Sequence, residues 1–248
     1  MKMYDQFAAY YDALMQDVQY AQRAAYLHAL LVRFGVPDGL LLDLACGTGS
    51  MTVQMAQFGY EMIGVDASAG MLCAAQQKAF QKGKNILFLC QRMQQLDLYG
   101  TVRGTICTLD SLNHLTREED LRETIRRVAL FTEPGGVFLF DVNTPYKHRR
   151  ILGNNTFVYE TDDVYCVWQN ELLGSDTVRI TLDFFAREGG LYARTGEQFC
   201  ERAYEPALLQ EILEENGFSV QGVFAEGTQD APQPDAQRIV FAAKKQGD

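Results

Sequence analysis

Leu40-Leu41-Leu42-Asp43-Leu44-Ala45-Cys46-Gly47-Thr48-Gly49-Ser50-Met51-Thr52 is the stretch whose reading decides the fold. The apolar run Leu40 to Leu44 has the length of a buried strand. It breaks at Cys46-Gly47-Thr48-Gly49, where glycines remove the side chains that would block close backbone approach. A helical pattern follows, with Met51, Met55 and Phe58 on one side and Gly59 as its stop. A second apolar run, Met62 to Val65, ends on Asp66. Strand, glycine turn, helix and an acid-tipped strand make the layout of a nucleoside-binding βαβ unit.

The alternation continues outward. A helix capped by Ser68 is expected to run to Lys82, followed by strands over Ile86–Leu89 and Gly104–Leu109. The fourth strand leads into Asp110-Ser111-Leu112-Asn113-His114, then a charged amphipathic helix from Arg117 to Phe131 and a fifth strand, Val137–Val142. This rhythm predicts an α/β fold: a parallel sheet with helices on both faces. From Asn155 to Tyr204 the helix pattern disappears, and strand-like runs alternate with Thr161-Asp162-Asp163, Gly174-Ser175-Asp176 and Glu188-Gly189-Gly190. That is the pattern of an inserted antiparallel meander. A helix over 206–216 and strands over 218–225 and 239–243 restore the first rhythm. The division expected is 1–143 with 205–248 as one domain, and 144–204 as an inserted β lid. Ahead of it all lie an aromatic N-terminus (Tyr4, Phe7, Tyr10, Tyr11) and an amphipathic helix from Asp17 to Phe34.

A chain of 248 residues can bury a sizeable core in one such domain. Its net charge of -10 repels phosphate backbones, which ranks nucleic acid below small molecules as a substrate. Six scattered cysteines without a C-x-x-C pair suit reduced core thiols, not a zinc site or disulfide frame. No cluster of metal ligands stands out. Nothing near Met1 resembles a signal peptide and no apolar run could span a bilayer, so a cytoplasmic protein, monomer or homodimer, is expected.

Two ligands suit the βαβ unit. A dinucleotide wants G-x-G-x-x-G, but here Thr52 stands in the third glycine's place. Asp43 just before the turn would also repel a pyrophosphate. An acid there suits S-adenosylmethionine, which carries an ammonium and a sulfonium and no phosphate. Asp66 fits either ligand, because a carboxylate at that tip can accept from both ribose hydroxyls.

Leu42-Asp43-Leu44-Ala45-Cys46-Gly47-Thr48-Gly49 resembles the first motif of the class I S-adenosylmethionine-dependent methyltransferases, and Gly64-Val65-Asp66-Ala67-Ser68 resembles their second. The likeness extends to Asp110–His114, Pro134-Gly135-Gly136, Gly217-Phe218 and the opening Tyr4-x-x-Phe7-Ala8-x-x-Tyr11-Asp12, and is typical of small-molecule members. It implies a Rossmann-like, seven-stranded, mostly parallel sheet with an antiparallel last strand. The cofactor would lie across the carboxyl ends of the first, second and fourth strands.

Carried onto this sequence, the resemblance gives Gly47 and Gly49, with Cys46 between the strand and the glycines, to close backbone approach. It places Asp43 at the cofactor's amino-acid end, Asp66 at the ribose, and Ala67 and Met71 near the adenine. Members often carry an acid after the third strand, but Gln91-Arg92-Met93 stands there, so Gln91 and Met93 are the adenine candidates. Asp110 would help hold the ammonium, and Tyr4 and Tyr11 could cover the ligand. Methyl transfer needs alignment and removal of a proton, for which Asn113 and His114 are the catalytic candidates and Ser111 a substrate contact. Within the insertion His148, Tyr165, Trp168 and Arg202 are candidate substrate residues, an arginine suiting a substrate carboxylate. The activity expected is methyl transfer to nitrogen or oxygen of a small molecule. An NAD(P)-dependent oxidoreductase and a non-catalytic cofactor-binding sensor are the alternatives.

Overall fold

The computed structural model describes residues 18–247. Helix α1 (Tyr20–Arg33) precedes β1 (Leu40–Leu44), α2 (Ser50–Gln57), β2 (Glu61–Asp66), α3 (Ala69–Gln81), β3 (Leu87–Cys90), β4 (Val102–Cys107), α4 (Glu118–Phe131) and β5 (Thr132–Asn143). Then come β6 (Thr156–Glu160), β7 (Val164–Leu173), β8 (Thr177–Glu188) and β9 (Leu191–Arg202). Helix α5 (Pro206–Glu215), β10 (Phe218–Ala225) and β11 (Arg238–Lys245) complete the order.

The main sheet has seven strands in the order β10-β11-β5-β4-β1-β2-β3. Strands β1 to β5 pair in parallel, and β11 runs antiparallel to both β5 and β10. The Rossmann-like expectation holds, including the reversed last strand. Leu41 and Leu42 show why β1 reads as an unbroken apolar run: they enter opposite cores. Leu41 packs with Leu30, Met55 and Leu139 on the α1–α2 side, and Leu42 with Ile125, Phe138 and Leu213 on the α4–α5 side. A strand covered on both faces needs apolar residues at every position.

The chain leaves β1 toward β2 on one side and returns at β4 on the other. The strand ends part at this switch point, opening a crevice at their carboxyl edge. The four-stranded antiparallel sheet β6-β7-β8-β9 stands apart from the main sheet, between β5 and α5. Its own core of Val164, Cys166, Ile180, Leu182 and Phe184 includes Met71 of α3, so the insertion packs against the edge of that crevice.

Two local departures from the sequence reading matter. Strand β4 stops at Cys107, and Leu109 and Asp110 take left-handed backbone (φ 57° and 53°) where a strand was expected to continue. A π-helix over Lys147–Leu152, absent from the reading, turns the chain from β5 into the insertion. No helix among the described residues is long and apolar enough to cross a membrane.

Candidate active site

A cavity of about 510 Å³ occupies the crevice, within the range of small-molecule sites. Its wider lining includes ten residues from the β1 turn (Asp43, Cys46, Gly47), the β2 tip (Asp66, Ala67, Met71), the loop after β3 (Gln91, Met93) and the turn after β4 (Ser111, His114). These ten residues were all anticipated from the sequence.

The β1 turn is built by local backbone chemistry. Ala45, Gly47 and Gly49 have positive φ (60°, 53° and 73°), which takes the chain sharply from strand to helix. Gly49 itself stays out of the cavity lining. A Cβ there would lie 2.8 Å from Cβ of Ala75, so its role is to let α2 approach α3. Asp66 holds the turn from the neighbouring strand: Gly47 N donates to Oδ2 and Ser68 N to Oδ1, both at 2.9 Å. The Ala67 backbone also bonds this carboxylate, and two oxygens offer about four acceptor sites, so acceptor capacity remains for a ribose hydroxyl. Burial raises the Asp66 pKa, opposed by those backbone donors.

Asp43 is 1% exposed and accepts from Thr52 Oγ1 at 2.5 Å. Burial pushes its pKa up to about 7; the Thr52 hydroxyl opposes this and Asp66 adds to it. None of the ion pairs among the described residues involves Asp43. A buried carboxylate facing a cavity, without a protein cation to match it, fits a cationic ligand. Thr52, in the place of a dinucleotide fingerprint's third glycine, is the residue that orients this acid.

Asp110 has a different fate from the one expected. Burial alone would raise its pKa, but the Arg238 guanidinium, 2.6 Å away, together with Lys147 and His114, holds it well below the usual carboxylate range. Asn143 Nδ2 also donates to it at 3.0 Å. Its carboxylate is committed to the protein and does not line the cavity. Asp141 clamps the same turn, accepting from Leu109 N at 2.9 Å and from Asp110 N at 2.7 Å while Arg238 donates to it at 2.5 Å. This clamp holds the left-handed backbone that delivers Leu109 and Ser111 to the cavity wall.

Asn113 is likewise a brace. Its Nδ2 donates to the carbonyls of Asn143 (3.2 Å) and Arg202 (2.9 Å), and its Oδ1 accepts from Asn143 N (2.9 Å). It is fully buried and ties the β4 turn to the ends of β5 and β9. Gln91 lines the cavity with Met93, but both ends of its amide bond the backbone of Asp97, each at 3.0 Å.

The four insertion candidates lie outside the cavity. Arg202 pairs with Asp176 (3.3 Å) and packs over Tyr204. Trp168 donates to Asn170 (2.7 Å) beside Phe157 and Tyr159. Tyr165 is exposed against Phe185. His148 is buried behind the β4 turn. Tyr4 and Tyr11 lie outside the described residues. The structure adds Tyr20 and Met51 to the wall, both of which the sequence reading had placed only in apolar helix stripes.

A family model described as a methyltransferase domain matches residues 41–136. A putative methyltransferase of Bacillus subtilis, YqeM, is 34% identical over 98% of this chain and 97% of its own length. The chain belongs to the class I S-adenosylmethionine-dependent methyltransferases. A solved S-adenosylmethionine-dependent methyltransferase from Clostridium acetobutylicum superposes with a TM-score of 0.90 at 30% identity, covering 98% of this chain and 99% of that one. A glycine/sarcosine N-methyltransferase of Halorhodospira halochloris is 34% identical over 41% of this methyltransferase and 38% of its own length. The cofactor is S-adenosylmethionine, and the dinucleotide alternative is set aside. Asp43, Gly47, Asp66, Met71 and Met93 line one cavity of this methyltransferase, a mix of acid, open backbone and apolar surface.

Proposed function

We propose that this enzyme moves a methyl group to nitrogen or oxygen of a small-molecule acceptor, with His114 receiving the acceptor's proton. The observation that carries this reading is the position of His114. It lines the same cavity as Asp43, Asp66 and Met71, beside Ser111, where the fourth strand ends. S-adenosylmethionine supplies a methyl carbon already activated by its sulfonium. Asp43 matches the cofactor's positive end, Asp66 holds the ribose, and Ser111 and His114 meet the acceptor. The inserted sheet, residues 144–204, packs against the cavity's edge at Met71 and serves in this reading as the lid over the acceptor.

The Halorhodospira relative's name, glycine/sarcosine N-methyltransferase, supports a small amine as one acceptor class. The acidic balance of the chain argues against nucleic acid. The reading is completed by a cytoplasmic location and a monomer or homodimer.

Turnover of methyl-labelled cofactor against a panel of small amines, amino acids, amino sugars and phenols tests the proposal. Label should enter a member of the panel, and His114→Asn should lower kcat by roughly 10²–10⁴, the usual weight of a general base, with S-adenosylhomocysteine affinity unchanged. Wild-type kcat in that variant would remove His114 from the chemistry.

A further inference from the structure

Behind His114, where the inserted sheet meets the β4 turn, lies a line of buried groups with no part in the reaction as drawn so far. Glu201, near the end of β9, is 4% exposed. Its Oε1 faces Nε2 of His114 at 3.8 Å. Its Oε2 accepts from Asn143 Nδ2 at 3.2 Å and faces Nε2 of His148 at 3.6 Å. His148 is fully buried, with Nδ1 2.9 Å from the carbonyl oxygen of Asp176. A carbonyl only accepts, so that nitrogen carries a proton. Nε2 of His148 is then a buried nitrogen without a hydrogen-bond partner, a condition proteins seldom leave standing. A proton shared with Glu201 would satisfy both groups.

We propose that Glu201, braced by His148, is a positioning residue that turns Nε2 of His114 toward the insertion and so makes Nδ1 the atom that receives the acceptor's proton. The inference rests on His114 acting as the base. In a neutral imidazole one nitrogen holds the proton and the other is basic, and the partner of the first decides which is which. With Nε2–H directed at Glu201, the acceptor's lone pair forms the new bond to the methyl carbon. The carbon–sulfur pair stays on sulfur, and the acceptor's proton passes to Nδ1. The imidazolium so formed faces the Glu201 carboxylate, which offsets its charge. A separation of 3.8 Å lies just beyond hydrogen-bond range, and such contacts tighten when a substrate is bound.

The arrangement joins two parts of the molecule. His114 belongs to the α/β body, whereas Glu201 and His148 belong to the insertion. Phe199, two residues before Glu201 on β9, packs its ring on His114 with centroids 5.1 Å apart. One strand thus supplies both the surface and the carboxylate that fix the ring. Asp66 of β2 and Asp110 of the β4 turn also act on His114 electrostatically, and Lys147 acts on Glu201. Among the acids of the described residues, Glu201 is the one that the structure records against Nε2.

Nitrogen-15 NMR of the histidine side chains in the full chain with S-adenosylhomocysteine tests this. The spectra are taken at about pH 9, well above the ordinary imidazole pKa near 6.5. Wild-type His114 should favour the Nε2–H form at least about tenfold, the bias a hydrogen bond to a charged group supports. Glu201→Leu, which removes the acceptor, should bring the two forms near parity, and His148→Phe should give an intermediate ratio. Calorimetry with S-adenosylhomocysteine shows whether each variant keeps its cavity. An Nδ1–H form in the wild type would overturn the proposal without need of any variant, as would an unchanged ratio in Glu201→Leu. The kcat of His114→Asn reports separately on His114 as base, because the tautomer ratio reads the positioning whether or not that ring proves catalytic.

Discussion

The tips of β1 and β4 are neighbours in the sheet, and each carries an aspartate whose pKa is shifted in the opposite direction from the other. Asp43 at the first is raised to about 7 by burial, with a threonine hydroxyl as its only side-chain donor among the described residues. Asp110 at the second is half-buried, and Arg238 reaches it from β11 and holds it well below the ordinary range. The same residue type, at neighbouring strand tips, serves two purposes. One acid keeps its charge in reserve for a cationic ligand, and the other has its cation built in. Burial marks a carboxylate as a candidate site, but the absence or presence of an internal cation decides what the site is for.

The largest expected effect comes from the strand tip that serves both. Asp66→Ala removes two charge-assisted acceptors from the backbone of Gly47 and Ser68, as well as the proposed ribose contact. At about 1.5–3 kcal/mol for each such bond, S-adenosylhomocysteine affinity should fall at least about 100-fold in calorimetry. An affinity within threefold of wild type would mean that the β1 turn needs no support from β2.

The comparison itself is broken or kept by two isosteric variants. Asp110→Asn removes one of the three carboxylates that pair Arg238 and leaves Asp141 and Glu226, so it should cost about 1–2 kcal/mol in urea unfolding at pH 7. Asp43→Asn keeps the Thr52 hydrogen bond and removes a charge that the fold disfavours, so stability at pH 8 should hold or rise while cofactor affinity falls. The signs follow from linkage. A lowered carboxylate contributes stability above its unfolded value near 4 and loses it only as pH falls through the folded value. A raised one weakens the fold progressively as pH climbs from about 4 to 7. Equal losses of stability in the two variants would erase the distinction.

How far this was legible in advance divides along the same line. The β1–α2–β2 unit could be read from some thirty consecutive residues, because its turn and carboxylates act over short separations; Asp43, Gly47, Asp66 and, on the next helix, Met71 line one cavity. Asp110 could not be read this way. Its sequence neighbourhood resembles that of a cofactor ligand, and only the arrival of Arg238 from the last strand shows that it is already paired. Asn113 misled for a similar reason: an amide after β4 suggests substrate orientation, yet β5 and β9 converge on it to satisfy their own backbone. Glu201 gave no sequence signal at all. It is one acid in a strand of alternating residues, and its meeting with His114 and His148 depends on how the insertion folds back.

A pH titration sharpens the contrast by about tenfold in affinity. Between about pH 5.5 and 7.5 Asp43 passes from protonated to charged, while the ligand's ammonium, with an α-amino pKa near 8, stays mostly cationic. S-adenosylhomocysteine should therefore bind more tightly as pH rises, and Asp43→Asn should flatten the curve. Asp110, ionised throughout that window, should contribute no slope, so a curve unchanged by Asp43→Asn would place the titrating group elsewhere.

The smallest effect lies at Thr52, and it separates the two readings of the position that a third glycine would hold. If the position only controls packing between helix and strand, Thr52→Val, nearly isosteric, should change nothing, since the side chain is fully buried and its methyl is retained. If the hydroxyl tunes Asp43, its loss leaves only the Thr52 backbone N–H of the two Thr52 donors that oppose the effect of burial, and the Asp43 pKa must rise further. The midpoint of the affinity–pH curve should then move upward by roughly half a unit to one unit, since one pKa unit corresponds to about 1.4 kcal/mol, near the worth of one hydrogen bond. At pH 7 this amounts to a few-fold loss of affinity, recovered at higher pH. Thr52→Ser, which keeps the hydroxyl and drops the methyl, should leave the midpoint in place while giving up a little stability. The opposite pattern, a shift in the serine variant and none in the valine variant, would show that packing, not the hydroxyl, sets the charge of the β1 tip.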